Sequence, residues 1–87
     1  MNAKRRKTLA SIVGDMEAMD ALRQTIIENL EAVLDEEQEA LDNMPESLQE
    51  GERGQQMQEY IDSLNTVLDD LGNIDMDSVM DSLRDII

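Results

Sequence analysis

The sequence predicts an all-α chain folded as an antiparallel helical hairpin that assembles into an oligomeric helical bundle. Three observations carry that prediction. Apolar residues recur every three or four positions through Leu9, Ile12, Met16, Met19, Leu22, Ile26, Leu30, Val33 and Leu41, the spacing of one helix face. The pattern resumes at Ile61, Leu64, Leu68 and Leu71, after one short segment that holds Pro45, Gly51 and Gly54. The apolar set is also almost wholly aliphatic, with seven Met, one Tyr and no Phe or Trp in 87 residues. Such side chains suit narrow helix–helix seams.

A chain this short makes one domain at most, taken here as residues 1–87. Fully burying a Leu or Ile is worth roughly 1.5–3 kcal/mol, whereas ordering costs about 1.5 kcal/mol per residue. A lone hairpin covers only one side of each stripe and is therefore marginal. Copies of the chain are expected to complete the core.

The first helix is expected over about 3–41, roughly 58 Å long at 1.5 Å per residue. Asp15, Glu17, Asp20, Glu28, Glu31 and Asp35 are expected on its solvent side. Gly14 lies inside it, at a cost of about 1 kcal/mol relative to Ala; it either admits another backbone or is a tolerated surface glycine. The hinge spans 42–54. Pro45 disfavours helix at Met44 and donates no backbone hydrogen bond, so the first helix stops near it. Asn43 is expected to cap a short turn over Pro45–Gln49, and Leu48 to fold back over the apolar end. Gly51 and Gly54 are expected to give the turn its freedom.

The second helix is expected over about 55–71, with Met57, Ile61, Leu64, Val67, Leu68 and Leu71 inward. Leu71-Gly72-Asn73-Ile74-Asp75 reads as a stop, with Gly72 or Asn73 left-handed and Asp75 capping a new helix. A kink or break is therefore expected at Gly72; a single helix running through it is the competing reading. The last helix, about 75–87, presents Val79, Met80, Leu83, Ile86 and Ile87.

The charge balance narrows the chemistry. Seven basic against 21 acidic residues give a net charge of −14, so direct binding to nucleic acid is not expected. A polyanionic surface suits instead a basic groove on another protein, or simply keeps helices dispersed. There is no Cys and no His, which removes the commonest nucleophile–base and metal-ligand sets, and no enzyme activity is expected. Asp75, Asp77 and Asp81 offer hard-cation oxygens, but lack the residue order of an EF-hand loop. No cofactor or metal is expected. No apolar run approaches the about 18 residues of a membrane span. The basic start is followed by an amphipathic, acidic stretch rather than a signal core, and the expected compartment is the cytoplasm.

Lys4, Arg5, Arg6 and Lys7 hold four of the seven basic residues. Cations at a helix N-terminus oppose the macrodipole, so helix stability does not explain them. With unpaired helix N–H groups they make an anion site, and an antiparallel hairpin is expected to bring Arg84 towards them. A solubilising tail, or docking of this tip on an acidic hinge of another copy, are the plainer readings. Arg53 and Tyr60 form a second candidate, one to hold a phosphate and the other to stack a base. The plainer reading there is an Arg53–glutamate pair with Tyr60 filling the seam end.

The stretch Glu36 to Gly54, with Asn43-Met44-Pro45-Glu46-Ser47-Leu48-Gln49 at its centre and Glu52-Arg53-Gly54 after it, resembles a group of short acidic helical proteins of bacteriophages and prophages. The Lys-Arg-Arg-Lys start, the long first helix and the Asp- and Leu-rich second helix extend the resemblance over most of the chain. The Gly72-Asn73 interruption departs from it. The resemblance implies a phage-related origin and, by analogy with small phage proteins, a counter-defence role in the host cytoplasm. The leading expectation is an oligomeric, non-enzymatic protein that sequesters a phosphate-bearing messenger such as a cyclic nucleotide. The alternatives are an acidic, DNA-mimicking inhibitor of a basic host nuclease or DNA-binding protein, and an assembly-accessory helical protein.

Overall fold

The computed structural model describes residues 1–87 as α1 (Ala3–Asp42), α2 (Glu46–Gln49), α3 (Glu52–Gly72) and α4 (Met76–Arg84). The protein is all-α, 85% helical and without strands. No helix is long and apolar enough to cross a membrane. The chain clusters into two compact units, Ile26–Asn73 and Met1–Thr25 with Ile74–Ile87.

In the Ile26–Asn73 unit, burial follows alternating three- and four-residue steps, with Gln38 added beside Glu37. On α1 the shielded positions are Ile27, Leu30, Leu34, Glu37, Gln38 and Leu41; on α3 they are Gly54, Met57, Ile61, Leu64, Leu68 and Leu71. A mean step of about 3.5 keeps the shielded residues in one narrow stripe along each helix. This departs from the stripe expected from hydrophobicity alone. Ile26 and Val33 on α1, and Val67 on α3, are exposed, each one residue ahead of a seam position. The apolar arc on each helix is wider than the shielded stripe, which leaves these neighbouring residues outside it.

The hinge is built by Pro45 and Gln49. The Pro45 carbonyl accepts from the Leu48 and Gln49 amides at 2.9 and 3.0 Å, closing the single turn of α2. Gln49 then turns its side-chain amide back and donates to the Leu41 and Met44 carbonyls at 3.0 and 2.8 Å. It thereby serves one carbonyl in the last turn of α1, which also takes the Met44 amide, and one carbonyl of the hinge. Asn43 does not cap α2: the cap position is Pro45, with no side-chain hydrogen bond. Leu48 does not cover the apolar end but stands exposed.

Gly54 also differs from expectation. It lies inside α3, is buried and has no positive φ. A Cβ there would stand 2.6 Å from the Gln49 Cα and carbonyl carbon. Its role is to let α3 begin against the backbone of α2, a close approach that no larger residue allows.

In the second unit, α1 begins with Asn2, whose Oδ1 accepts from the Arg5 amide at 2.9 Å, as an N-cap does. The three–four alternation runs on through Leu9, Val13, Met16, Asp20 and Arg23. Two of these seam positions are charged. Arg23 Nε meets Asp20 Oδ1 at 2.9 Å, with side chains only 19% and 18% exposed. Asp20 was expected in solvent; pairing with Arg23 is what allows it to lie in the seam. Expected members Ile12, Met19 and Leu22 are exposed instead.

α4 starts on Asp75, whose side chain accepts from the Ser78 amide at 3.0 Å. Met76 and Met80 bury against Val13, with Met16 and Leu83 packed alongside. Met80 is the most enclosed large side chain, at 2% exposure. Of the apolar residues this last segment presents, Val79, Ile86 and Ile87 stay exposed. The break before α4 needs no left-handed residue: no residue in the chain has positive φ, and Asn73 sits at φ −84°, ψ −5°.

Two glycine substitutions test this account with opposite signs. Gly54→Ala should destabilise by about 1–3 kcal/mol, because the new methyl meets backbone rather than a movable side chain. Gly14→Ala should stabilise by about 0.5–1 kcal/mol, since nothing lies within 4 Å of a Cβ there. Thermal melts followed by circular dichroism read both.

Candidate functional site

The basic run sits on the first turns of α1. Lys4, Arg5, Arg6 and Lys7 are all exposed, and none has a carboxylate within 4.0 Å. α1 has no acidic residue in its first turn and no basic residue in its last, so its charges oppose the macrodipole at both ends. Asn2 satisfies one amide of this turn, and the four cations project around it.

Arg84 is not delivered to that cluster. Its Nη2 donates to Glu17 Oε1 at 3.0 Å and its Nη1 to Asp81 Oδ1 at 3.2 Å. These hydrogen bonds, Glu17 first and Asp81 second, hold its pKa above the ordinary arginine value. Glu17 lies ten residues beyond Lys7 on one helix, about 15 Å along the axis. Arg84 therefore ties α4 to α1 within the packed end of this unit.

Arg53 and Tyr60 stand seven residues apart on α3, two turns, and hence on the same side of it. Both are exposed, and Arg53 has no carboxylate within 4.0 Å. Neither the expected glutamate pair nor the filled seam end is formed.

Two clefts carry glutamine amides in their walls. One, of about 370 Å³, lies between the end of α1 and the start of α3, against Gln38, Leu41, Gln49, Gly54, Gln55 and Gln58. Its amides are already engaged: Gln38 donates to Asp42, Gln58 to Asp62, and Gln49 to the α1 carbonyls. Another, of about 220 Å³, is bounded by Glu52, Gln55, Gln56 and Glu59 on α3. Asp75 is occupied as a cap and Asp81 with Arg84, and no three carboxylates converge on a metal position.

Two features escaped a reading by hydrophobicity. One is the Asp20–Arg23 pair inside the seam, hidden because charged residues are assigned to solvent by default. The other is the row of exposed apolar residues Ile26, Val33, Tyr60 and Val67. A seven-residue register drawn through Leu41 and Leu34 would have separated that row from the seam beside it.

Comparison with protein-family models, characterised proteins and solved structures returned no match.

If the cations of α1 are kept for a ligand, they weaken the helix that bears them. Reversing Arg5 and Arg6 to Glu should raise the melting temperature, by about 2–6 °C at low ionic strength, as anions replace cations at the positive end of the dipole. A fall in melting temperature would assign the pair a structural role instead.

Proposed function

We propose that this chain is a non-enzymatic binding protein that works as an oligomer of antiparallel hairpins and captures an anionic, phosphate-bearing ligand at the start of α1. The observation that carries the reading is the set of four exposed cations, Lys4 to Lys7, left unpaired in a chain with 21 carboxylates. Internal ion pairing would have been easy to arrange and is not used. Phosphate suits the set because Arg5 and Arg6 offer forked donors while Lys4 and Lys7 add point charge. The absence of Cys and His from the sequence supports binding rather than chemistry. A cyclic nucleotide messenger is the ligand of choice, since several cations must share more than one phosphate. Arg53 and Tyr60, aligned on α3, are set aside as the place for a phosphate and a base, because Tyr60 belongs to an exposed apolar row with Ile26, Val33 and Val67. The resemblance of the hinge to phage proteins supports counter-defence in the cytoplasm of a host cell.

Isothermal calorimetry against cyclic di- and trinucleotides tests this. Binding of at least one member is expected, weakened tenfold or more in the Arg5→Glu, Arg6→Glu variant and unchanged in Arg84→Ala. Silence across the panel contradicts the reading.

A second reading rests on Glu28, Glu31, Asp35 and Glu39, exposed on one stretch of α1. Such a row is an acidic imitation of a phosphate backbone and fits an inhibitor of a basic nuclease or DNA-binding protein. Its association would weaken steeply with salt and fail on charge reversal of these four residues.

A further inference from the structure

We infer that the exposed row Ile26, Val33, Tyr60 and Val67 is the surface by which one hairpin takes up a second copy of the same chain, an inference that rests on the oligomeric reading above and names its interface.

The register is the first support. The alternating seam places Ile27, Leu34, Leu41, Gly54, Ile61 and Leu68 at equivalent positions of successive heptads. Ile26, Val33, Tyr60 and Val67 each precede one of them by a single residue. Short connections join antiparallel neighbours. In antiparallel helices sharing such a seam, the residues just before these positions fall on the same side from both arms. The two arms therefore present one common face. Its four large residues are 41–53% exposed, and their repeat at seven residues on both helices is a pattern that isolated surface apolars do not show.

Charge selects the occupant. A copy of this chain arrives with a net charge of −14, so a self-contact is tolerable only where carboxylates are absent. On this side the heptad positions are filled by Ile26, Val33, Ala40, Arg53, Tyr60 and Val67, with no acid among them. The opposite side of the seam carries Glu31, Gln38, Gln58 and Asn65. A basic partner would be drawn to the acidic surfaces instead, and nothing on the apolar face would recognise it.

Area agrees. The single chain exposes 6476 Å², whereas a folded monomer of 9.8 kDa exposes about 5,200 Å² by the surface–mass relation. The excess exceeds the roughly 800 Å² that each partner loses in a standard interface. A two-fold pairing of the common face builds a four-helix core in which every seam gains a second neighbour.

The chain has no native cysteine, so single cysteines report the face directly. With a short bifunctional maleimide, Val33→Cys should give covalent dimer in high yield and Glu31→Cys, across the seam, little. Equal yields, or dimer only from Glu31→Cys, would overturn the assignment. By light scattering, the Val33→Glu, Val67→Glu variant should fall from twice 9.8 kDa to the single-chain mass. Should that variant unfold, the cysteine pair still decides. A wild-type chain that is folded and monomeric at micromolar concentration overturns the oligomer itself, whereas a wild-type oligomer without Val33→Cys cross-linking overturns only the face.

Discussion

The seam spaced alternately by three and four residues is the constraint on which the rest of this structure depends. It fixes which side of each helix is shielded and, by exclusion, which apolar residues stay outside. It also decides the rank of polar residues. Asp20 and Arg23 enter it as a pair, and Gly54 enters it because only a glycine lets α3 start against Gln49. Asp20 and Arg23 are three residues apart on the same helix, so the pair compensates two half-buried charges locally and contributes little net stability.

The hinge shows how a specific-looking sequence can be spent on construction. Each residue of Asn43-Met44-Pro45-Glu46-Ser47-Leu48-Gln49 that the fold uses does a backbone task. Pro45 starts a turn, its carbonyl takes two amides, and Gln49 serves the carbonyls at the end of α1. The cleft beside it is lined by amides already committed to local partners. The functional weight therefore moves away from the hinge, towards the unpaired cations at the other end of α1 and the uncovered apolar face.

Much of the fold was legible in the sequence, for definite reasons. Helical periodicity gave the class, and Pro45 gave the end of the first helix. Asp75 was readable as a cap because its short acceptor can reach the amide three residues on. What could not be read was the choice between two neighbouring apolar rows. Ile26 and Ile27, or Val33 and Leu34, are equally hydrophobic, and the choice depends on what the partner helix offers. Asn73 and Gly72 were misread because a helix can also end in a residue with right-handed angles, as Asn73 does. Of the candidate site residues, Lys4 to Lys7 form an exposed cluster and Arg84 is held elsewhere by Glu17. That pairing joins residues 67 positions apart and has no local signal.

An acidic chain that associates through a face free of carboxylates has a distinctive response to salt. Screening weakens the repulsion between copies without weakening apolar burial. Docking of a basic tip on an acidic hinge would respond in the reverse sense. Sedimentation equilibrium of the wild-type chain from about 0.05 to 0.5 M sodium chloride, where the Debye length shortens from beyond 10 Å to a few ångströms, separates the two. A dimer that tightens as salt rises is the expected result. A dimer that dissolves with salt, or a single chain throughout, would contradict the seam-and-face account.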